Sequence, residues 1–246
     1  MAKKQQDLHA RDVDLGRKIL GQNLSFAAGE AYKLLRTNLS FSLPNQDKCR
    51  VIGITSALSG EGKSTTSLNL AYTMAQEGGR VLLLEADLRL PTAAKRLGVP
   101  PKPGLSNLLV GQCSGNDVIQ NSTISKRVYV ITAGDIPPNP SELLGSPQME
   151  QTIAALSGVF DTIIVDLPPV TVVADALIAS RFLDGLVVVV RQNHCTRKAL
   201  AELMRQLSFA EAKLLGFVMT GSDIQKKNYK KYGHKYGYES YSKAHS

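Results

Sequence analysis

The chain lacks any apolar run approaching the ~18 residues that a membrane span requires. Its opening, Met1-Ala-Lys-Lys-Gln-Gln6, has no apolar core of the kind an export signal carries. A cytoplasmic protein is therefore expected. Cysteine is scarce: Cys49, Cys113 and Cys195 are scattered and odd in number. They fit a reducing compartment and offer neither a disulfide framework nor metal-ligand spacing. The four histidines, His9, His194, His234 and His245, form no ligand cluster. The only metal to expect is one that arrives with a bound ligand.

What is present is ordinary globular material, 43% hydrophobic and 20% charged over 246 residues. That length makes one large domain or two small ones with a substantial core. The formal charge of +8 is uneven, because residues 226–243 hold six lysines and one acid, Glu239. Without that segment the chain is only mildly basic.

The densest signal is Val51-Ile-Gly-Ile-Thr-Ser-Ala-Leu-Ser-Gly-Glu-Gly-Lys-Ser-Thr-Thr66. An apolar run, Val51 to Thr55, reads as a buried strand. A loop of small residues follows, and then a helical pattern through Leu68, Leu70, Ala71, Met74 and Ala75. Strand, small-residue loop and helix in that order make a phosphate-binding P-loop, with Ala57 at the usual first glycine. The candidate nucleotide-binding residues are Ser59, Gly60, Glu61, Gly62, Lys63, Ser64 and Thr65. Loop amides and the helix dipole would hold a phosphate chain. Lys63 would reach the β- and γ-phosphates, and the Ser64 hydroxyl would sit on Mg²⁺.

Further apolar runs read as buried strands: 81–84, 128–131, 162–165, 186–190 and 215–219. Helical patterns lie between them. Continuous rather than alternating apolar strands imply a parallel sheet covered on both faces. The expected fold class is α/β, a P-loop NTPase-type, mostly parallel sheet. The second strand closes on Glu85-Ala-Asp87-Leu-Arg89. Such acids and an arginine at a strand's carboxyl end are well sited for Mg²⁺ and phosphates. The fourth strand closes on Asp166, a Walker B arrangement. Residues 104–121 suggest small helices, and Ser141 reads as the N-cap of a helix running towards Leu156.

The ends are less globular. Residues 1–24 are expected to form a mobile arm ahead of a domain spanning 25–220. A helix is expected over 25–42, on which Glu30, Lys33 and Arg36 recur every third residue. After Ile224 no aliphatic residue appears except Ala244, so 221–246 cannot build a core and reads as a flexible tail. Five of eight tyrosines, Tyr229, Tyr232, Tyr236, Tyr238 and Tyr241, fall within thirteen residues of it. Lysines among aromatics could stack on single-stranded nucleic acid. A solvated solubility tail is a second reading, for which tyrosine is a poor choice; a tyrosine-dense segment beside a nucleotide site is also what a kinase could phosphorylate, and no nucleic-acid partner is expected.

Taken together, the P-loop, Glu85–Arg89, the stretch 137–144 (Pro-Pro-Asn-Pro-Ser-Glu-Leu-Leu), Asp166 and the tyrosine tail resemble the bacterial tyrosine kinases of capsule and exopolysaccharide biosynthesis. The similarity is to the stand-alone cytoplasmic form of Gram-positive bacteria. It implies an ATP- and Mg²⁺-dependent kinase that phosphorylates its own tail tyrosines in trans. It also implies a ring-like homo-oligomer, with an octamer as the candidate size. A membrane-anchored polysaccharide co-polymerase would activate the kinase and recruit it to the inner face of the membrane, and a cognate tyrosine phosphatase would reverse the modification. By position, Asp87 and Asp166 join Ser64 on Mg²⁺, Lys63 binds phosphate, and Glu85 stands where a proton acceptor for tyrosine is expected. Glu30, Lys33 and Arg36 match an oligomerisation motif. Glu85 and Lys33 depart from the family's usual Asp and Arg, and Lys lacks the bidentate fork of Arg. Two alternatives are a partitioning-type ATPase, whose signature lysine is absent at Leu58, and a nucleotide-gated assembly switch without tyrosine transfer.

Overall fold

The computed structural model describes residues 21–43 and 48–221. The five tail tyrosines lie outside that range, as do residues 1–20. Helix α1 (Phe26–Ser42) is capped by Ser25, whose hydroxyl accepts the Ala28 N–H. Strand β1 (Arg50–Ser56) runs into the P-loop and helix α2 (Lys63–Ala75). There follow β2 (Val81–Glu85), the short helices α3 (Ala93–Leu97), α4 (Leu105–Leu109) and α5 (Gly115–Val118), and strands β3 (Gln120–Asn121) and β4 (Val128–Ile131). Helices α6 (Pro140–Leu144) and α7 (Pro147–Ser157) precede β5 (Thr162–Asp166). The chain then runs through α8 (Asp175–Ala179), β6 (Gly185–Arg191), α9 (Arg197–Phe209) and β7 (Leu214–Thr220).

The strands form one sheet in the order β3-β4-β2-β5-β1-β6-β7, parallel throughout except for the β3–β4 pair. The six apolar runs are the six parallel strands. The two-residue β3 is polar, so hydrophobic patterning could not reveal it. Alternate residues of each strand feed two separate cores. Leu82, Leu84, Ile163, Val165, Leu186 and Val188 pack with α7 and α9 on one face. Ile52, Ile54, Val81, Leu83, Ile164 and Val187 pack with α1, α2 and α3 on the other. Apolar side chains on both faces explain why these runs are continuous. Among the described residues no helix is long and apolar enough to cross a membrane.

One helix departs from expectation. Ser141 is not an N-cap but an interior residue of α6, whose cap position is Asn139. The chain breaks at Gly145, and the second helix is capped by Ser146, which accepts the Met149 N–H. Pro147 explains the break: it has no N–H to give and clashes with a preceding helical turn, but it suits the first helical position.

Candidate active site

Strand β1 lies between β5 and β6, so the P-loop leaves the middle of the sheet with a carboxyl-end neighbour on each side. Ile54 pairs in register with Asp166, and Asp166 pairs with Glu85. Three chemistry-bearing strand ends therefore meet beside the loop, as open parallel sheets arrange them.

The loop's own geometry follows from where its carbonyls go. Ala57 O accepts the Thr171 hydroxyl at 2.5 Å and Leu58 O accepts the Ser56 hydroxyl at 2.7 Å. Ser59 O meets His194 Nε2 at 2.9 Å, and Gly60 O accepts Arg191 Nη1 at 3.1 Å. Glu61 O accepts the Thr220 hydroxyl at 2.7 Å, and Gly62 O accepts the Thr66 N–H at 2.9 Å. Six consecutive carbonyls are thus drawn outward into the protein. No hydrogen bond among the described residues engages the N–H groups of Ser59, Gly60, Glu61 or Gly62. Those amides, with the first N–H groups of α2, form a donor-lined concavity that fits an anionic phosphate chain. Gly60 (φ 80°) and Gly62 (φ 96°) adopt the left-handed backbone this path needs.

The Glu61 side chain turns inward. It is fully buried, accepting the Leu58 N–H at 2.8 Å. Its contribution to a ligand is through the backbone alone. Burial and the Glu61 carboxylate push the Cys195 thiol up to about 11, so that cysteine stays protonated at neutral pH.

Lys63 Nζ donates to Asp87 Oδ2 at 2.7 Å, in a pair with side-chain exposures of 12% and 6%. Burial disfavours the lysine's charge. The charges of Asp166 and Asp87, the hydrogen bond to Asp87 and the charge of Glu85 outweigh that, and the pKa is raised. Lys63 therefore carries a full positive charge. Asp166 Oδ1 accepts the Ser67 hydroxyl at 3.1 Å. The Ser64 hydroxyl is committed to no hydrogen bond among the described residues, where no group of three or more His, Cys, Asp or Glu could hold a metal alone. A free hydroxyl with one or two carboxylates fits Mg²⁺ that takes its remaining ligands from phosphate and water.

Other expected residues sit differently. Glu85 is 1% exposed and accepts backbone N–H groups from Thr92, Ala93 and Ala133. Burial pushes its pKa up; those amides pull it down, the charge of Asp166 pushes it up, and the net direction is upward. Arg89 is engaged by an acid outside the P-loop. Its Nε donates to Asp175 Oδ2 at 2.8 Å and its Nη2 to Asp175 Oδ1 at 3.1 Å. Ser141 donates to the same Asp175 Oδ1 at 2.5 Å, which ties the stretch 137–144 to this pair. On α1, Glu30 and Lys33 pair with each other at 2.7 Å, both half-exposed. Arg36 lies 2.9 Å from Glu77 and donates to Thr73 O at 2.8 Å, so it belongs to the α1–α2 contact. The chain reading missed Thr171, Arg191, His194, Thr220 and Arg96. Arg96 Nη1 donates to Thr65 Oγ1 at 2.6 Å. The only sequence signal for most of them was proximity to the carboxyl end of a strand.

Comparison with known proteins agrees with this geometry. A family model described as an AAA domain matches residues 49–215. The tyrosine-protein kinase YwqD of Bacillus subtilis is 39% identical over 197 residues, covering 80% of this chain and 82% of that protein. The crystal structure of the chimerical protein CapA2B2 superposes with a TM-score of 0.76 at 33% identity, covering 83% of this chain and 88% of that one. The kinase domain of the Escherichia coli tyrosine kinase ETK superposes with a TM-score of 0.77 at 32% identity, covering 84% and 82%. A strand-loop-helix cradle, a lysine held on an acid from the loop that follows β2, and relatives of this likeness over most of their length lead to one assignment: the chain belongs to the bacterial tyrosine-protein kinase family.

Proposed function

We propose that this kinase transfers the γ-phosphoryl group of ATP to Tyr229, Tyr232, Tyr236, Tyr238 and Tyr241 in the 221–246 tail of a neighbouring copy. The observation that carries this reading is the P-loop itself, with six carbonyls tied outward, free amides inward and Lys63 poised on Asp87. The amides of 59–65 would hold the phosphates. Lys63 would exchange Asp87 for the β- and γ-phosphates as they enter. Ser64, Asp87 and Asp166 would hold Mg²⁺, which neutralises charge on the transferred group. The tyrosine oxygen forms the new bond to phosphorus as the bond to the ADP oxygen breaks. The phenolic proton, whose ordinary pKa is about 10, needs a carboxylate within hydrogen-bond reach.

The domain would span 25–220, and of the 1–24 arm the last residues are already tied down: Gly21–Asn23 form a 3-10 turn whose Gly21 N–H donates to Asn69 Oδ1 at 2.9 Å. Assembly would run through α1, where Glu30 and Lys33 are exposed and Arg36 steadies the helix. Phe26, Leu34 and Phe41 support this: they are 62–81% exposed on that helix, and their spacing of eight and seven keeps them on one face. The membrane co-polymerase would recruit and activate the ring, and a phosphatase would reset it. The cycle would regulate capsular or exopolysaccharide polymerisation and export.

Incubation with γ-labelled ATP and Mg²⁺, with and without the activator, tests this. Replacing the five tail tyrosines by Phe should leave nucleotide affinity unchanged and remove nearly all phosphotyrosine. Label persisting on the five-Phe chain would refute the tail as acceptor, and free phosphate without phosphotyrosine in the wild type would favour the assembly switch. A second expectation concerns the loop. Thr220→Val deletes the hydroxyl on Glu61 O, a hydrogen bond worth about 1 kcal/mol. ADP affinity measured by titration calorimetry should fall about fivefold, with unfolding little changed.

A further inference from the structure

Glu85 stands where a proton acceptor is expected, yet both oxygens of its side chain are engaged elsewhere. Oε1 accepts the N–H of Thr92 at 2.5 Å and of Ala93 at 2.6 Å, and Oε2 accepts the N–H of Ala133 at 3.1 Å. Two of the donors lie seven and eight residues further along the chain. The carboxylate therefore closes the loop that it begins. That loop carries Asp87, which in turn accepts the Leu90 N–H at 3.1 Å. The third donor belongs to the chain leaving β4, so the loop is fixed to its neighbour as well.

Helix α3 starts at Ala93, and one turn on it delivers Arg96 to Thr65, the third residue of α2. No ion pair is formed by Arg96 among the described residues, although Asp166 and Glu85 act on it through space. Glu85 also borders a cleft of about 320 Å³ lined by Pro91, Ala94, Val99, Pro101 and Thr132, among others. That cleft shares no residue with the P-loop. A hydroxyl approaching Glu85 there would not meet Lys63. Turning the carboxylate towards the P-loop would strand three backbone donors, two of them in buried bonds, and unmet buried donors are costly.

We propose that Glu85 is a positioning residue and not the proton acceptor. Its carboxylate stays on the amides of Thr92, Ala93 and Ala133, and through the loop and α3 it holds Asp87 on Lys63 and Arg96 on Thr65. This rests on the reading above that the P-loop seats the phosphoryl donor.

Three full-length variants test it: Glu85→Gln, Arg96→Met and the two combined. Each is measured for ADP affinity with a fluorescent analogue, and for ATP KM and kcat of tail phosphorylation. The Gln carbonyl still accepts from Thr92 and Ala93, but its amide group opposes the Ala133 N–H. The expected result is a several-fold weaker ADP affinity and higher KM in each single variant, with kcat within tenfold of wild type. The combined variant should be no worse than the weaker single, because the two residues act along one path. A kcat loss of tenfold or more in Glu85→Gln with ADP affinity unchanged would overturn the proposal, since loss of a proton acceptor costs about 10²–10⁴ in rate. Additive losses would also overturn it. Should Glu85→Gln fail to fold, unchanged ADP affinity in Arg96→Met does so alone. A wild type that binds ADP but never labels its tail refutes the function above, while the affinity arm stays readable.

Discussion

Lys63→Met is expected to abolish tail phosphorylation, by at least about 10³-fold. Methionine keeps much of the lysine's stem, so the helix start survives, but the site loses the cation that would face the transferred phosphate. Removing a single preorganised donor from such a site costs about 10²–10³ in rate. Here the loss is larger. Asp87, 6% exposed, is left without its partner, and Asp166 stands on the adjoining strand. The two carboxylates would then repel the phosphates that Lys63 had drawn in. Phosphotyrosine mass spectrometry with circular dichroism as a fold control checks this. Labelling above one-tenth of wild type in a folded variant would contradict it.

Arg89→Ala is expected to destabilise the fold by about 2–3 kcal/mol. Asp175 is fully buried at the start of α8, and the arginine's two hydrogen bonds supply its countercharge. Breaking one side of a buried pair costs about 3–5 kcal/mol, because the other charge is stranded. The guanidinium is 39% exposed and Ser141 still donates to Asp175, so the lower figure applies. Urea unfolding reads the change as a lower midpoint at constant slope. Replacing Arg89 and Asp175 together by Ala should recover part of the loss. If the double variant is as unstable as the sum of the singles, the pair is not coupled. Such a result would return Arg89 to a direct role on the ligand.

The sheet was readable from the chain because its strands are buried on both faces. A run such as Leu186-Val-Val-Val-Val190 has no polar alternation to confuse it with a surface strand. The P-loop was readable because Gly60, Gly62, Lys63 and Ser64 serve local chemistry at fixed spacing. What holds that loop was not readable. Arg191, His194 and Thr220 reach it only because β6 lies directly beside β1 and β7 beside β6, and no spacing in the sequence encodes strand order. Arg96 was hidden for a related reason: a charged residue on a five-residue helix looks like surface until its fold neighbour Thr65 is known. Glu85 and Arg89 were correctly located at a strand end. The directions of their side chains, towards the Thr92, Ala93 and Ala133 amides and towards Asp175, depend on distant partners. Ser141 was misassigned as a cap because the break before Pro147 moves the helix start to Ser146.

A mixing experiment tests the central claim most directly. The Lys63→Met chain keeps its tail but loses its donor site, and the chain with five tail tyrosines replaced by Phe keeps the site but loses its acceptors. With labelled ATP, Mg²⁺ and the activator, neither should form phosphotyrosine alone. Mixed, they should place label on the tail of the Lys63→Met chain. No label in the mixture, or label on the Lys63→Met chain by itself, would contradict transfer from the P-loop of one copy to the tail of another.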